Sequence, residues 1–185
     1  MRKLASFLSL LLLLTACNLP HASPDPVTDA PPTETPTPTG EAGYTQCAWS
    51  WATQSLPDLT AEIQTAMEAA GLTGITARAE AYGENCITAN GAVDHFATME
   101  TDFRIRVEVP DLNDTAVLGD LLERILIVLD AYPPGIAPGP NAGYVGITYV
   151  SGTTESNLWF TVYEGESARA LGLHGADLYN ELYNR

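Results

Sequence analysis

Between residues 44 and 185 the chain alternates between two hydrophobic periods. Ser55-Leu56-Pro57-Asp58 reads as a helix start, with Ser at the cap, Pro in the first turn and Asp three residues beyond the cap. Leu59, Ile63, Met67 and Ala70 then recur at helical spacing until Gly71 ends the run. Ile75, Ala77, Ala79 and Ala81 alternate with Thr76, Arg78, Glu80 and Tyr82, the period of a half-buried strand. A longer strand follows, with Met99, Thr101, Phe103, Ile105, Val107 and Val109 on one face and Glu100, Asp102, Arg104, Arg106 and Glu108 on the other, ended by Pro110. The helical period returns from about Asp114 to Tyr132, where Leu118, Leu121, Leu122, Ile125, Leu126, Val128 and Leu129 make an apolar surface broad enough for a central core helix.

After the stiff loop begun by Pro133-Pro134, the runs Tyr144 to Val150 and Leu158 to Tyr163 flank a turn and predict a hairpin. Short helices over Ser167 to Leu171 and Ala176 to Tyr183 finish the chain. The order α-β-β-α-β-β-α predicts an α+β fold: a two-layer sandwich of one four-stranded antiparallel sheet with helices on one face.

The first sixteen residues belong to a different kind of sequence. Arg2 and Lys3 precede an apolar core, and the segment Leu4 to Ala16 is shorter than the roughly 20 apolar residues of a membrane span. This is the order of a secretory signal peptide. Its end, Leu14-Thr15-Ala16-Cys17, resembles the lipobox of bacterial lipoproteins. The resemblance implies cleavage between Ala16 and Cys17 and a diacylglyceryl anchor, with acyl chains such as palmitate, on the Cys17 sulfur. Residues 17 to 43 then form a tether dominated by Pro and Thr, too poor in apolar residues to offset its ordering entropy. Residues 44 to 185 are expected to form a single domain. The localisation implied is the extracytoplasmic side of a cell membrane, lipid-anchored.

Three cysteines are an awkward number for an exported chain. Assigning Cys17 to lipid leaves Cys47 and Cys86, for which export makes a disulfide the default. Their spacing, without a second CxxC or a nearby His, does not suit zinc. The bridge bears on topology. Cys47-Ala48-Trp49-Ser50-Trp51 alternates, and as a strand it would complete the order of the ferredoxin-like fold. There the strand before the first helix runs parallel to the strand after it, placing the two cysteines at opposite ends of a strand of about 23 Å, whereas bridged Cα atoms lie within about 7 Å. Residues 47 to 51 are therefore read as a strap pinned by Cys86, with Trp49 and Trp51 over an edge of the core.

The whole chain carries a net charge of −15. From residue 44 onward, 19 Asp and Glu against 6 Arg leave −13, with no Lys. This excludes nucleic acid, whose binding draws on clustered cations, and it argues against adhesion to anionic head groups. Templates for nucleophilic, phosphate-binding and zinc-dependent catalysis are missing from the sequence. The only grouped polar residues are Asp94, His95, Glu100 and Asp102, which could serve a small hydrolase or metal-dependent enzyme, although Glu100 and Asp102 also suit a solvated strand face. The preferred reading is a non-catalytic binding or scaffolding module of the cell envelope, with no catalytic residue, cofactor or metal assigned. Its binding surface is expected on the open sheet face carrying Arg104 and Arg106, with Tyr149 and Trp159 beside them, where two cations on an acidic domain would meet an anionic group. An envelope protein, a glycan and a small molecule all remain as partner classes.

Overall fold

A computed structural model describes residues 46–185. The expected signal peptide, Cys17 and the whole of the expected tether lie outside the described residues. The element order is β1 (Ala48–Ser55), α1 (Pro57–Ala69), β2 (Ile75–Ile87), β3 (Val93–Glu108), α2 (Thr115–Leu129), β4 (Asn141–Ser151), β5 (Thr154–Thr161), α3 (Val162–Ala170) and α4 (Gly175–Tyr183). The fold is α+β, as expected, but the sheet has five strands in the order β1-β2-β3-β4-β5 rather than four.

The additional strand is β1. It pairs antiparallel with the second half of β2, from Ala48 opposite Ile87 to Ser55 opposite Glu80. The strap reading is thus corrected to a strand, while the parallel arrangement that the disulfide argued against is not adopted: Cys47 and Cys86 are bridged, with Cα atoms 4.9 Å apart, where β1 and β2 run in opposite directions. Nearly every residue of β1 is exposed, so backbone hydrogen bonds and the bridge hold it rather than burial. Trp49 and Trp51 accordingly cover no core; both side chains are exposed.

Where β1 stops, α1 takes over the edge of β2. The Leu56 N–H donates to the Ala79 carbonyl at 3.0 Å. Ala79 N–H donates to Thr60 Oγ1 at 2.9 Å, and Ala77 N–H to Gln64 Oε1 at 2.8 Å. Gln64 Nε2 donates in turn to the Ile75 carbonyl at 3.2 Å. Helix side chains thereby satisfy strand groups that would otherwise be left unpaired. Pro57 stands in the first turn, and Gly71, at φ 73°, follows the helix end.

The second departure is at the centre. β3 and β4 run parallel, from Glu100 opposite Asn141 to Glu108 opposite Val150, whereas an all-antiparallel sheet was expected. The physical reason is the connection: adjacent parallel strands need a crossover of a dozen or more residues, and α2 provides it. The β2–β3 and β4–β5 pairs are antiparallel, the latter joined by a tight turn at Gly152.

Alternate residues of the strands, Ile75, Ala77, Ala79, Phe103, Ile105, Val107, Val145, Ile147, Tyr149, Leu158 and Phe160, join Ile63, Met67, Leu118, Leu122, Ile125, Leu126, Leu178 and Leu182 in one core. The small alanines of β2 let α1 approach closely. α2 and α4 also meet without side chains between them: a Cβ on Gly119 would lie 1.9 Å from the Gly175 carbonyl oxygen, so only glycine fits. Asp114 caps α2 by accepting from Val117 N–H at 3.2 Å. Thr161 and Glu164 form a capping box on α3, and the two hydrogen bonds from Thr161 hold the Glu164 carboxyl below the ordinary glutamate range. Among the described residues, no helix is long and apolar enough to cross a membrane.

Candidate functional site

The strand residues between the core positions point the other way. On β2 these are Thr76, Arg78, Glu80 and Tyr82, and on β3 they are Arg106, Arg104, Asp102 and Glu100, which stand opposite them in that order. The row continues onto β4 and β5: Arg104 pairs with Gly146 and Gly146 with Trp159, while Arg106 pairs with Thr148 and Thr148 with Asn157. Three of the domain's six arginines therefore share one sheet face.

Gly146 explains how Trp159 is placed. A Cβ there would fall 1.9 Å from the indole ring, so the ring lies over the bare glycine backbone, as a strand glycine often permits. The Arg104 guanidinium sits over the same ring, 4.0 Å from its centroid, a cation–π contact worth about 0.5 to 2 kcal/mol. Tyr144 lies nearly parallel to the indole at 5.8 Å. Two grooves of about 510 Å³ each flank this centre. Thr76, Arg78, Arg106, Thr148 and Asn157 line the first, and Thr53, Tyr82, Glu100, Asp102 and Tyr144 the second; Arg104 and Trp159 belong to both.

The arginines already have carboxylate neighbours. Arg78 Nη2 lies 3.0 Å from Glu80, Arg104 lies 3.6 Å from Glu80 and 3.5 Å from Asp102, and Arg106 donates to Glu155 at 2.7 Å. Asp102 is largely buried, and its Oδ1 accepts from Tyr144 N–H at 2.9 Å. Burial first, and the Asp102 charge second, push the Glu100 carboxyl above the ordinary glutamate range.

The binding residues expected from sequence divide. Arg104, Arg106 and Trp159 share the exposed face. Tyr149 does not: it is 0% exposed within the core, and its hydroxyl donates to the Leu118 carbonyl at 3.1 Å. Burial raises its pKa, which suits an interior anchor for α2 rather than a surface contact. Tyr144 occupies the place on the open face that Tyr149 was expected to share. Strand alternation distinguishes the two tyrosines once the core parity of β4 is known, but the short apolar run itself does not display that parity.

The four polar residues weighed for catalysis do not form one group. His95 lies opposite Cys86, whereas Glu100 lies opposite Tyr82, farther along the same strand pair. His95 Nδ1 is 2.9 Å from Asp94 Oδ2, and its ring meets Trp49 edge-on at 5.6 Å. Cys86, Asp94 and His95 approach one another closely, but the Cys86 sulfur is committed to Cys47 and supplies no thiolate while the bridge is intact. His174 is near Glu123, 2.9 Å away at the molecule's surface.

Arg78, Glu80 and Tyr82 were legible in the sequence only as the polar positions of a half-buried strand, and Gly146 carried no signal; their register across the sheet makes them members of this site. Comparison of the chain with protein-family models, curated proteins and solved structures yields no match to any of them.

Proposed function

We propose that the protein is a membrane-anchored, extracytoplasmic lipoprotein whose domain is a non-catalytic binding module of the cell envelope. The helices cover the opposite side of the sheet, and the open face is its working surface. One observation carries the reading: a domain of net charge −13 gathers half of its arginines, together with Trp159 and Tyr144, on one accessible face around two connected grooves. Exposed aromatic and arginine residues in such a setting are the side chains that most often dominate recognition. The lipid on Cys17 would tie the domain to the membrane through the Pro/Thr-rich residues 17 to 43.

The test uses the full-length chain. Cys17→Ala should move the protein out of the membrane fraction, and retention there overturns the anchor. Capture of envelope components by the tagged, detergent-purified wild type should fall at least tenfold in Arg104→Ala/Arg106→Ala; capture that ignores the double change overturns the open face as the working surface.

A further inference from the structure

The chemistry of the ligand follows from the charge on this face, given the binding reading just proposed. Arg104 and Arg106 were expected to meet an anion, but neither is a spare cation. Arg78, Arg104 and Arg106 are matched by Glu80, Asp102 and Glu155 at the distances given above. An anionic ligand would have to displace a carboxylate already in place, within a domain of net charge −13.

Pairing leaves hydrogen-bonding capacity in hand. A guanidinium has five N–H donors and a carboxylate about four acceptor positions, so each pair still presents both functions side by side at almost no net charge. Neighbouring hydroxyl groups need that combination, since each gives one hydrogen bond and takes another. Thr53, Thr76, Thr148 and Asn157 add neutral donors and acceptors along the grooves.

Aromatic rings alternate with these polar groups. Trp159 is 47% and Tyr144 39% exposed, and Tyr82 beyond them stacks with exposed Trp51 at 5.4 Å. Such rings bury the aliphatic face of a ligand without requiring it to be charged. Length matters as well. From Thr76 to Tyr82 the two grooves follow about 20 Å of strand, a surface open along its length rather than the enclosed cavity that suits a small molecule.

We infer that the open face binds a linear, uncharged glycan, with sugar rings packed on Trp159 and Tyr144 and hydroxyls held between Arg104 and the carboxylates of Asp102 and Glu80.

Affinity electrophoresis tests this with full-length, detergent-purified protein in native gels containing hydroxyethylcellulose, galactomannan or dextran, with polygalacturonate as the charged comparison. At least one neutral polymer should reduce mobility twofold or more. The retardation should disappear in Trp159→Ala and in Tyr144→Ala, persist in Leu171→Ala, an exposed position just past the end of α3, and survive about 1 M salt, where the Debye length falls to about 3 Å. Retardation by none of the neutral polymers, by polygalacturonate alone, or unchanged in both aromatic variants overturns the inference. If neutral polymers fail while envelope capture still depends on Arg104 and Arg106, the glycan is wrong and the binding module stands. Loss of that dependence removes the module reading itself.

Discussion

The two halves of the β2–β3 hairpin are built on different physical principles. In the first, Ile75 to Ala81 against Thr101 to Val107, every second side chain is buried among residues of the helices. In the second, Tyr82 to Ile87 against Val93 to Glu100, β1 replaces the helices as neighbour and most side chains remain partly or fully exposed. The first half is held by apolar burial. The second is held by a three-stranded ladder, a disulfide and aromatic pairs such as Trp51 with Tyr82. A continuous strand pair can thus pass from a core-supported region to a covalently supported one, and the proposed site lies across the junction.

Breaking the core should have the largest effect. Leu122 is fully buried in α2, and Leu122→Ala should cost about 4 kcal/mol, since enclosed Leu→Ala changes sit toward the upper end of the usual range. Chemical denaturation should show one cooperative transition shifted for both halves, because the second half depends on the first for its register.

Removing the bridge should sharpen the contrast. With Cys47 and Cys86 both replaced by Ala, the loss should be at most about 3.9 kcal/mol by the chain-entropy estimate for a separation of 39 residues. Hydrogen exchange should then accelerate in β1 and the far end of the hairpin while α2 and β4 keep their protection. Equal acceleration throughout would mean that the two halves are one energetic unit.

The smallest effects have opposite signs with pH. Glu164 has a folded pKa below its unfolded one, so its stabilising contribution is present above the unfolded pKa and lost as pH falls through the folded value. Glu100 has a raised folded pKa, so its contribution is favourable below the unfolded pKa and lost as pH rises through the folded one. At about pH 7, Glu164→Gln should therefore lower Tm and Glu100→Gln should raise it; as pH falls the Glu100 difference should shrink once pH passes its unfolded pKa, and the Glu164 difference only as pH falls through its lower folded one. Thr161→Ala, which removes the hydroxyl of the same cap, should cost about 1 kcal/mol. A Glu100→Gln protein less stable than wild type at neutral pH would show that the second groove does not penalise its carboxylate.

What the sequence determined by itself were the features written in short-range pattern. The helices α1 and α2 follow from apolar spacing with Pro57, Gly71 and Asp114 at their ends, and the alternation of β2 and β3 sorted core from solvent residues well enough to put Arg104 and Arg106 on the open face. The pairing of Cys47 with Cys86 was legible because reading residues 1–17 as an export signal ending in a lipidated Cys17 left these two as an even pair, and the bridge is present. Tertiary structure alone decided three things. β1 is a strand although it buries almost nothing: residues 47–51 alternate in the sequence, but only their antiparallel pairing with β2 decided between strand and strap. β4 lies parallel to β3 because α2 carries the chain back across the sheet, a choice made by packing rather than by either strand's composition. Finally, Arg78, Arg104, Gly146 and Trp159 come from four separate strands and meet in one row only through register, which is set by hydrogen bonding across the sheet and leaves no trace in any one strand.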